Sequence, residues 1–171
     1  FDLLSIDIDG NDYHVWEALQ NYTPKVVVIE FNPTIPNSIA FVQEARMTVN
    51  QGSSLRAMVE LGKRKGYELV AVTAFNGIFV HGPLFARFGI PDNSLTVLRP
   101  DSPYETRLYQ LFDGTLMLEG CTQMLWQNVE MRKESLQVMP RWLRGFPPAT
   151  GRVRGFMQKI WRVLYRSGII S

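Results

Sequence analysis

The chain has 171 residues, of which 46% are hydrophobic and 20% charged, enough for one domain with an appendage and for a core that needs no disulfide or structural metal. A single cysteine, Cys121, rules out an internal disulfide and fits a reducing, cytoplasmic setting, and no apolar run approaches the length of a spanning helix. The net charge of +2 hides a split: residues 141–171 hold seven of the 18 basic residues and no acid, leaving 11 basic against 16 acidic residues in the rest.

Phe1 is not an initiator methionine and opens directly into a strand-like run, which predicts the later part of a longer protein or a processed piece of one. Phe1 to Ile8 reads as a largely buried strand whose carboxyl end carries Asp7 and Asp9. Asn11 or Asp12 then caps a helix with Tyr13, Trp16 and Leu19 on its apolar face. Lys25 to Phe31, rich in β-branched residues, is a second strand suited to a sheet interior, so residues 1–31 form a βαβ unit. Asn32 to Gln51 lacks periodicity and reads as a long loop at the end of that strand, where loops commonly carry function.

Ser53 or Ser54 starts a helix bearing Leu55, Met58, Val59 and Gly62, and Gly66 stops it. Tyr67 to Thr73 and Gly77 to His81 are strands joined through Phe75-Asn76-Gly77, and Asn-Gly between apolar runs predicts an antiparallel hairpin. Beyond Gly82 the prolines break the pattern. Helices are predicted at Tyr104 to Phe112 and Leu116 to Met131, followed by a Pro/Gly hinge and an amphipathic helix from Arg152 to Tyr165. These elements divide the chain into an α/β domain over 1–82, a mainly helical extension over 83–139, and a hinge with a basic helix over 140–171.

In an open α/β sheet, ligands bind outside the carboxyl ends of the parallel strands. Two polar clusters fall there, Asp7-Ile8-Asp9-Gly10-Asn11-Asp12 and Glu30-Phe31-Asn32-Pro33. Strand alternation puts Asp7 with Asp9 and Glu30 with Asn32, and adjacent strands bring the pairs together. Such a group can hold a hard cation, bind hydroxyls or supply a general base. The same residues can also be a turn with a helix cap, and Glu30 can simply mark where its strand reaches water. His14 is either a general base beside the acidic cluster or a solvated helix residue, and His81 packs or caps. No zinc set, EF-hand, P-loop or dinucleotide loop is present in the sequence.

DLLSIDIDGND, KVVVIEFNP, a helix ending KRKGYELV and a hairpin with FNGIFV, in that order, resemble the carboxyl half of FkbM-type S-adenosylmethionine-dependent methyltransferases over residues 1–81. In that family a fourth strand ends in Asp-x-Asp/Glu-Gly, a fifth ends near Glu, and an antiparallel hairpin strand closes the sheet. The resemblance implies a partial Rossmann-like class I methyltransferase sheet, strands four to seven, with a helical C-terminal extension. It further implies methyl transfer to a hydroxyl of a small molecule or glycan. Asp7 and Glu30 would be catalytic, Asp9 and Asn11 would hold the cofactor, and Asn32 and His14 the acceptor. IDIDGNDY is also similar to the acidic strand end of metal-dependent catechol-type O-methyltransferases, which implies Asp7, Glu30 and Asn32 as ligands of a divalent cation such as Mg. The family binds its cofactor mainly with two earlier strands, so the chain taken alone is expected to lack most of that pocket and to be inactive.

For the basic helix at 152–166 three partners compete: an anionic membrane surface, nucleic acid, and the protein's own body or a protein partner. Aromatic residues within the apolar stripe argue against a specific nucleic-acid role. A non-catalytic interaction module using this helix is the alternative to an enzyme.

Overall fold

The computed structural model describes residues 1–100, 104–125, 129–146 and 151–169. The chain forms two compact units, Phe1–Glu105 and Thr106–Ser171.

The first unit is α/β with a mixed four-stranded sheet. Its elements are β1 (Leu3–Ile6), α1 (Asp12–Ala18), β2 (Val26–Glu30), α2 (Leu55–Arg64), β3 (Tyr67–Val72), β4 (Asn76–His81) and the short α3 (Gly82–Phe85) and α4 (Leu95–Leu98). The strand order is β1-β2-β4-β3; β1 and β2 are parallel, and β4 runs antiparallel to both of its neighbours. β2 is interior because Val26-Val27-Val28-Ile29 offers a branched apolar side chain to each face. Val27 and Ile29 of β2, Phe79 of β4 and Leu69 of β3 are buried on one face beneath α1 and α2. Trp16 of α1 is the centre of that layer, with ring centroids 4.9 Å from Phe79 and 5.7 Å from Tyr67. Ser54 caps α2 as its sequence predicts, its hydroxyl accepting from the Ala57 amide at 3.2 Å.

The two borders of the sheet differ. On β3, Asn93 donates to the Leu69 carbonyl at 3.2 Å and α4 packs alongside. On β1, expected to be largely buried over Phe1 to Ile8, the strand spans only Leu3–Ile6, only Ile6 is buried and Leu3 is 59% exposed, because no described strand pairs with its outer side.

The hairpin is antiparallel as expected, but it turns earlier. Thr73 donates its amide to the Asn76 carbonyl at 2.8 Å, so Ala74 and Phe75 make the turn and Asn76-Gly77 already belongs to β4. Gly77 serves packing instead of the turn. A Cβ there would lie 2.8 Å from the Phe79 ring and 3.1 Å from Leu55.

The α/β unit also extends past residue 82. α3 packs on β3 and β4, and Arg99 is buried by donating to the Pro33 carbonyl and the Asn37 side chain, each at 2.7 Å, with Glu105 at 3.3 Å. The division therefore falls after Glu105.

The second unit corrects the mainly helical extension. It contains β5 (Thr106–Gln110), β6 (Leu116–Gly120), β7 (Gln123–Met124), β8 (Val129–Glu130), α5 (Lys133–Leu136) and α6 (Arg152–Arg166). The expected helix at 104–112 is β5, antiparallel to β6, which occupies the start of the other expected helix at 116–131; residues 126–128 of the latter lie outside the described residues. Asp113-Gly114 is the cause. Gly114 takes φ 87° and the Asp113 carboxylate accepts from the Thr115 amide at 2.9 Å, which reverses the chain between two apolar runs. Gln137 and Arg144 tie the following segment to that turn: the Gln137 side chain accepts from the Leu116 amide at 2.7 Å, and Arg144 donates to Thr115 at 3.1 Å.

Candidate functional site

The parallel pairing of β1 and β2, with Ile6 opposite Ile29, places Asp7, just past β1, beside Glu30, the last residue of β2. Carboxylate oxygens of Asp7, Asp9 and Glu30 all lie within 4.8 Å of one another. Asp7 and Asp9 are exposed, whereas Glu30 is partly buried. Burial, then the charges of Asp7, Asp12 and Asp9, and a hydrogen bond with the Asp7 side chain push the Glu30 carboxyl up to about 7. At neutral pH this group is therefore divided between its acid and its base forms.

The loop between β1 and α1 holds the cluster in place. Asp12 is buried, and its carboxylate accepts from the Ile8 amide at 3.1 Å and the Gly10 amide at 3.0 Å. This wraps the backbone tightly enough that Asp9 takes φ 56°, a left-handed conformation that Asp tolerates better than most residues. Gly10 follows at φ 144°, with the position of an added Cβ only 2.7 Å from the Val49 carbonyl. Only glycine meets both demands.

The other expected site residues are engaged by the long loop, here 32–52. Both ends of the Asn32 amide are used: Oδ1 accepts from the Thr34 amide at 2.9 Å and its hydroxyl at 2.6 Å, while Nδ2 donates to the Gln51 carbonyl at 2.7 Å. β2 ends at Glu30, so Asn32 lies past the strand and its amide is committed to loop partners. Asn11 stands at the start of α1 but makes no capping bond, and donates instead to the Arg46 carbonyl at 3.0 Å. His14 Nε2 lies 2.8 Å from the Gln43 carbonyl. A carbonyl only accepts, so Nε2 carries the proton and His14 pins the loop. Replacing His14 with Ala is expected to lower stability by about 1 kcal/mol in urea denaturation.

Gln43 and Arg99 carry no local sequence signal, yet they organise the surroundings. Gln43 is buried; its Oε1 accepts from the Gln51 and Gly52 amides at 3.1 and 2.8 Å, and its Nε2 donates to the Val49 carbonyl at 2.9 Å. Arg99 lies 5.2 Å from the centroid of the Phe31 ring. Its burial lowers the guanidinium pKa, an effect that Glu105 opposes.

Chemically, the three carboxylates offer hard oxygen donors that a divalent cation such as Mg takes, and their mutual spacing is compatible with one shared ion. They equally offer a base at the sheet end where α/β folds receive ligands. No protein-family model, curated protein or solved structure matches this chain.

Proposed function

We propose that residues 1–105 are the acceptor side of a class I S-adenosylmethionine-dependent methyltransferase acting on a hydroxyl oxygen of a small molecule or glycan. The observation that carries this reading is Glu30, a carboxylate raised to about 7 at the carboxyl end of an interior strand, with Asp7 and Asp9 beside it. A base titrating near the working pH is well matched to taking a proton from a hydroxyl. The sheet supports the family likeness by analogy: β4 is the antiparallel hairpin strand, inserted between β2 and β3.

In this reading Glu30 accepts the acceptor's hydroxyl proton, and Asp7 sets how strongly Glu30 holds it. Asp9 and Asp7 hold polar groups of the acceptor at the open rim. The cofactor, if bound, would supply a methyl carbon on a positively charged sulfur, and the carbon–sulfur bond would break to release the neutral thioether as the acceptor oxygen takes the methyl group. A Mg ion held by Asp7, Asp9 and Glu30 would instead bind the acceptor oxygen and favour its ionised form.

The test is transfer of a tritiated methyl group from S-adenosylmethionine to hydroxylated small molecules and glycans by the protein at its natural length. Transfer is expected. Asp7→Asn should slow it about tenfold and move the acidic limb of the pH–rate profile below 7, because Glu30 loses a neighbouring charge and becomes a weaker base. An intact fold that transfers no methyl group to any such acceptor overturns the reading.

A further inference from the structure

The second unit carries a surface whose composition specifies a partner, and it stands independently of the methyl-transfer reading. α6 is 15 residues long. Projected at the helical period, Val163, Phe156, Ile160, Val153, Leu164, Met157 and Trp161 fall in one arc of about 160°. A helix docked on its own domain would turn that arc inward, and α6 does not. The partly covered residues are Gly155, Gln158, Trp161 and Leu164, spaced three apart along one side, and Gln158 Nε2 donates to the Leu143 carbonyl at 2.6 Å. The helix thus leans on the Arg141–Leu143 turn through Gln158 on its polar side, and of its apolar arc only Trp161 and Leu164 are partly covered. The rest of the arc is open: Val153 is 74% exposed, Phe156 63% and Val163 67%, with Ile160 and Met157 also exposed.

Cations border this open face. Arg152, Lys159 and Arg166 project next to Val163 and Phe156, and Arg154 lies beyond Trp161 on the opposite border. No acid occurs anywhere in residues 141–171. Trp161 stacks on Tyr165 at 5.1 Å between centroids, where the arc meets its polar side. The full helix is only about 22 Å long at 1.5 Å per residue. No helix among the described residues is long and apolar enough to cross a membrane.

We propose that α6 lies flat on an anionic lipid surface, its open apolar arc at the acyl boundary and its bordering cations among the headgroups. An apolar face flanked on both sides by cations is the arrangement such a surface binds. A nucleic acid would match the cations but would leave the apolar arc in water. A second copy of the helix would bring cations against cations.

The experiment is co-sedimentation of the full chain with phosphatidylcholine vesicles made with and without phosphatidylserine. Binding is expected only where phosphatidylserine is present, and it should weaken as salt is raised. Phe156→Glu should lower the partition more than about tenfold. Lys159→Gln with Arg166→Gln, both at solvated positions, should lower it about fivefold per cation removed, which tests the surface without touching an apolar contact. Equal binding to both vesicle types, or binding unchanged in these variants, overturns the proposal. So does failure to bind vesicles accompanied by self-association that Phe156→Glu abolishes, which would assign the face to a second copy.

Discussion

Glu30→Gln is expected to make the protein more stable at about pH 8, by about 1–2 kcal/mol, and to leave its stability unchanged at about pH 4. The folded carboxyl titrates at about 7 against 4.5 for an unperturbed glutamate. Below 4.5 it is protonated in the folded and unfolded states alike, so its contribution is fully present. Between 4.5 and 7 the folded state retains a proton that the unfolded state releases, and stability falls as pH rises; above 7 the loss is complete. Solvent screening at this partly buried site holds the effect below the full linkage of the shift. Gln keeps the shape and is neutral at every pH, so urea denaturation of the two proteins should agree in acid and separate in base. The same substitution removes the proposed base and should lower kcat for methyl transfer about 10²- to 10⁴-fold. A stability gain without a rate loss would mark Glu30 as a strained structural carboxylate. Equal stabilities across the pH range would mean that neither burial nor the neighbouring acids raise the Glu30 carboxyl.

Gln43→Ala is the second large effect, about 3 kcal/mol of destabilisation. One side chain holds three backbone groups, the amides of Gln51 and Gly52 and the carbonyl of Val49, and Ala leaves all three without it. Each such bond contributes about 1 kcal/mol net. The loss should be local before it is global: amide exchange at Gln51 and Gly52 should speed up at denaturant concentrations where the Val27 and Ile29 amides remain protected. Because Val49 and Gln43 also press on Gly10, loosening the loop relaxes the turn that carries Asp9. Under the proposed function, methyl transfer by Gln43→Ala should therefore fall even though the side chain is buried.

The parts of this molecule that were legible in its sequence are those fixed by near neighbours. β1, α1, β2, α2 and the β3–β4 pair follow from apolar periodicity, and the two serines before the α2 run offer the cap that Ser54 makes. The convergence of Asp7, Asp9 and Glu30 follows from two parallel strands ending side by side. The contacts of Asn32, Asn11 and His14 are not legible in the sequence, because their partners are 19, 35 and 29 residues away, at Gln51, Arg46 and Gln43, in a loop without periodicity. β5 and β6 were hidden differently. Leu108, Tyr109, Leu116, Met117 and Leu118 suit helix and strand alike, and Asp113-Gly114 alone decides between them. The Asn76-Gly77 pair carries the same kind of signal but lies in β4, where Gly77 leaves room for the Phe79 ring, so similar dipeptide chemistry yields a turn at one place and a strand at the other.

The unequal borders of the first sheet give it a direction of growth. β3 has Asn93 and α4 at its border, whereas no described strand pairs with the outer side of β1, whose outward amides and carbonyls are the more open template for pairing. A strand added there would stand next to Asp7. It would move Asp7 from the border of the sheet to its interior, between the added strand and Glu30.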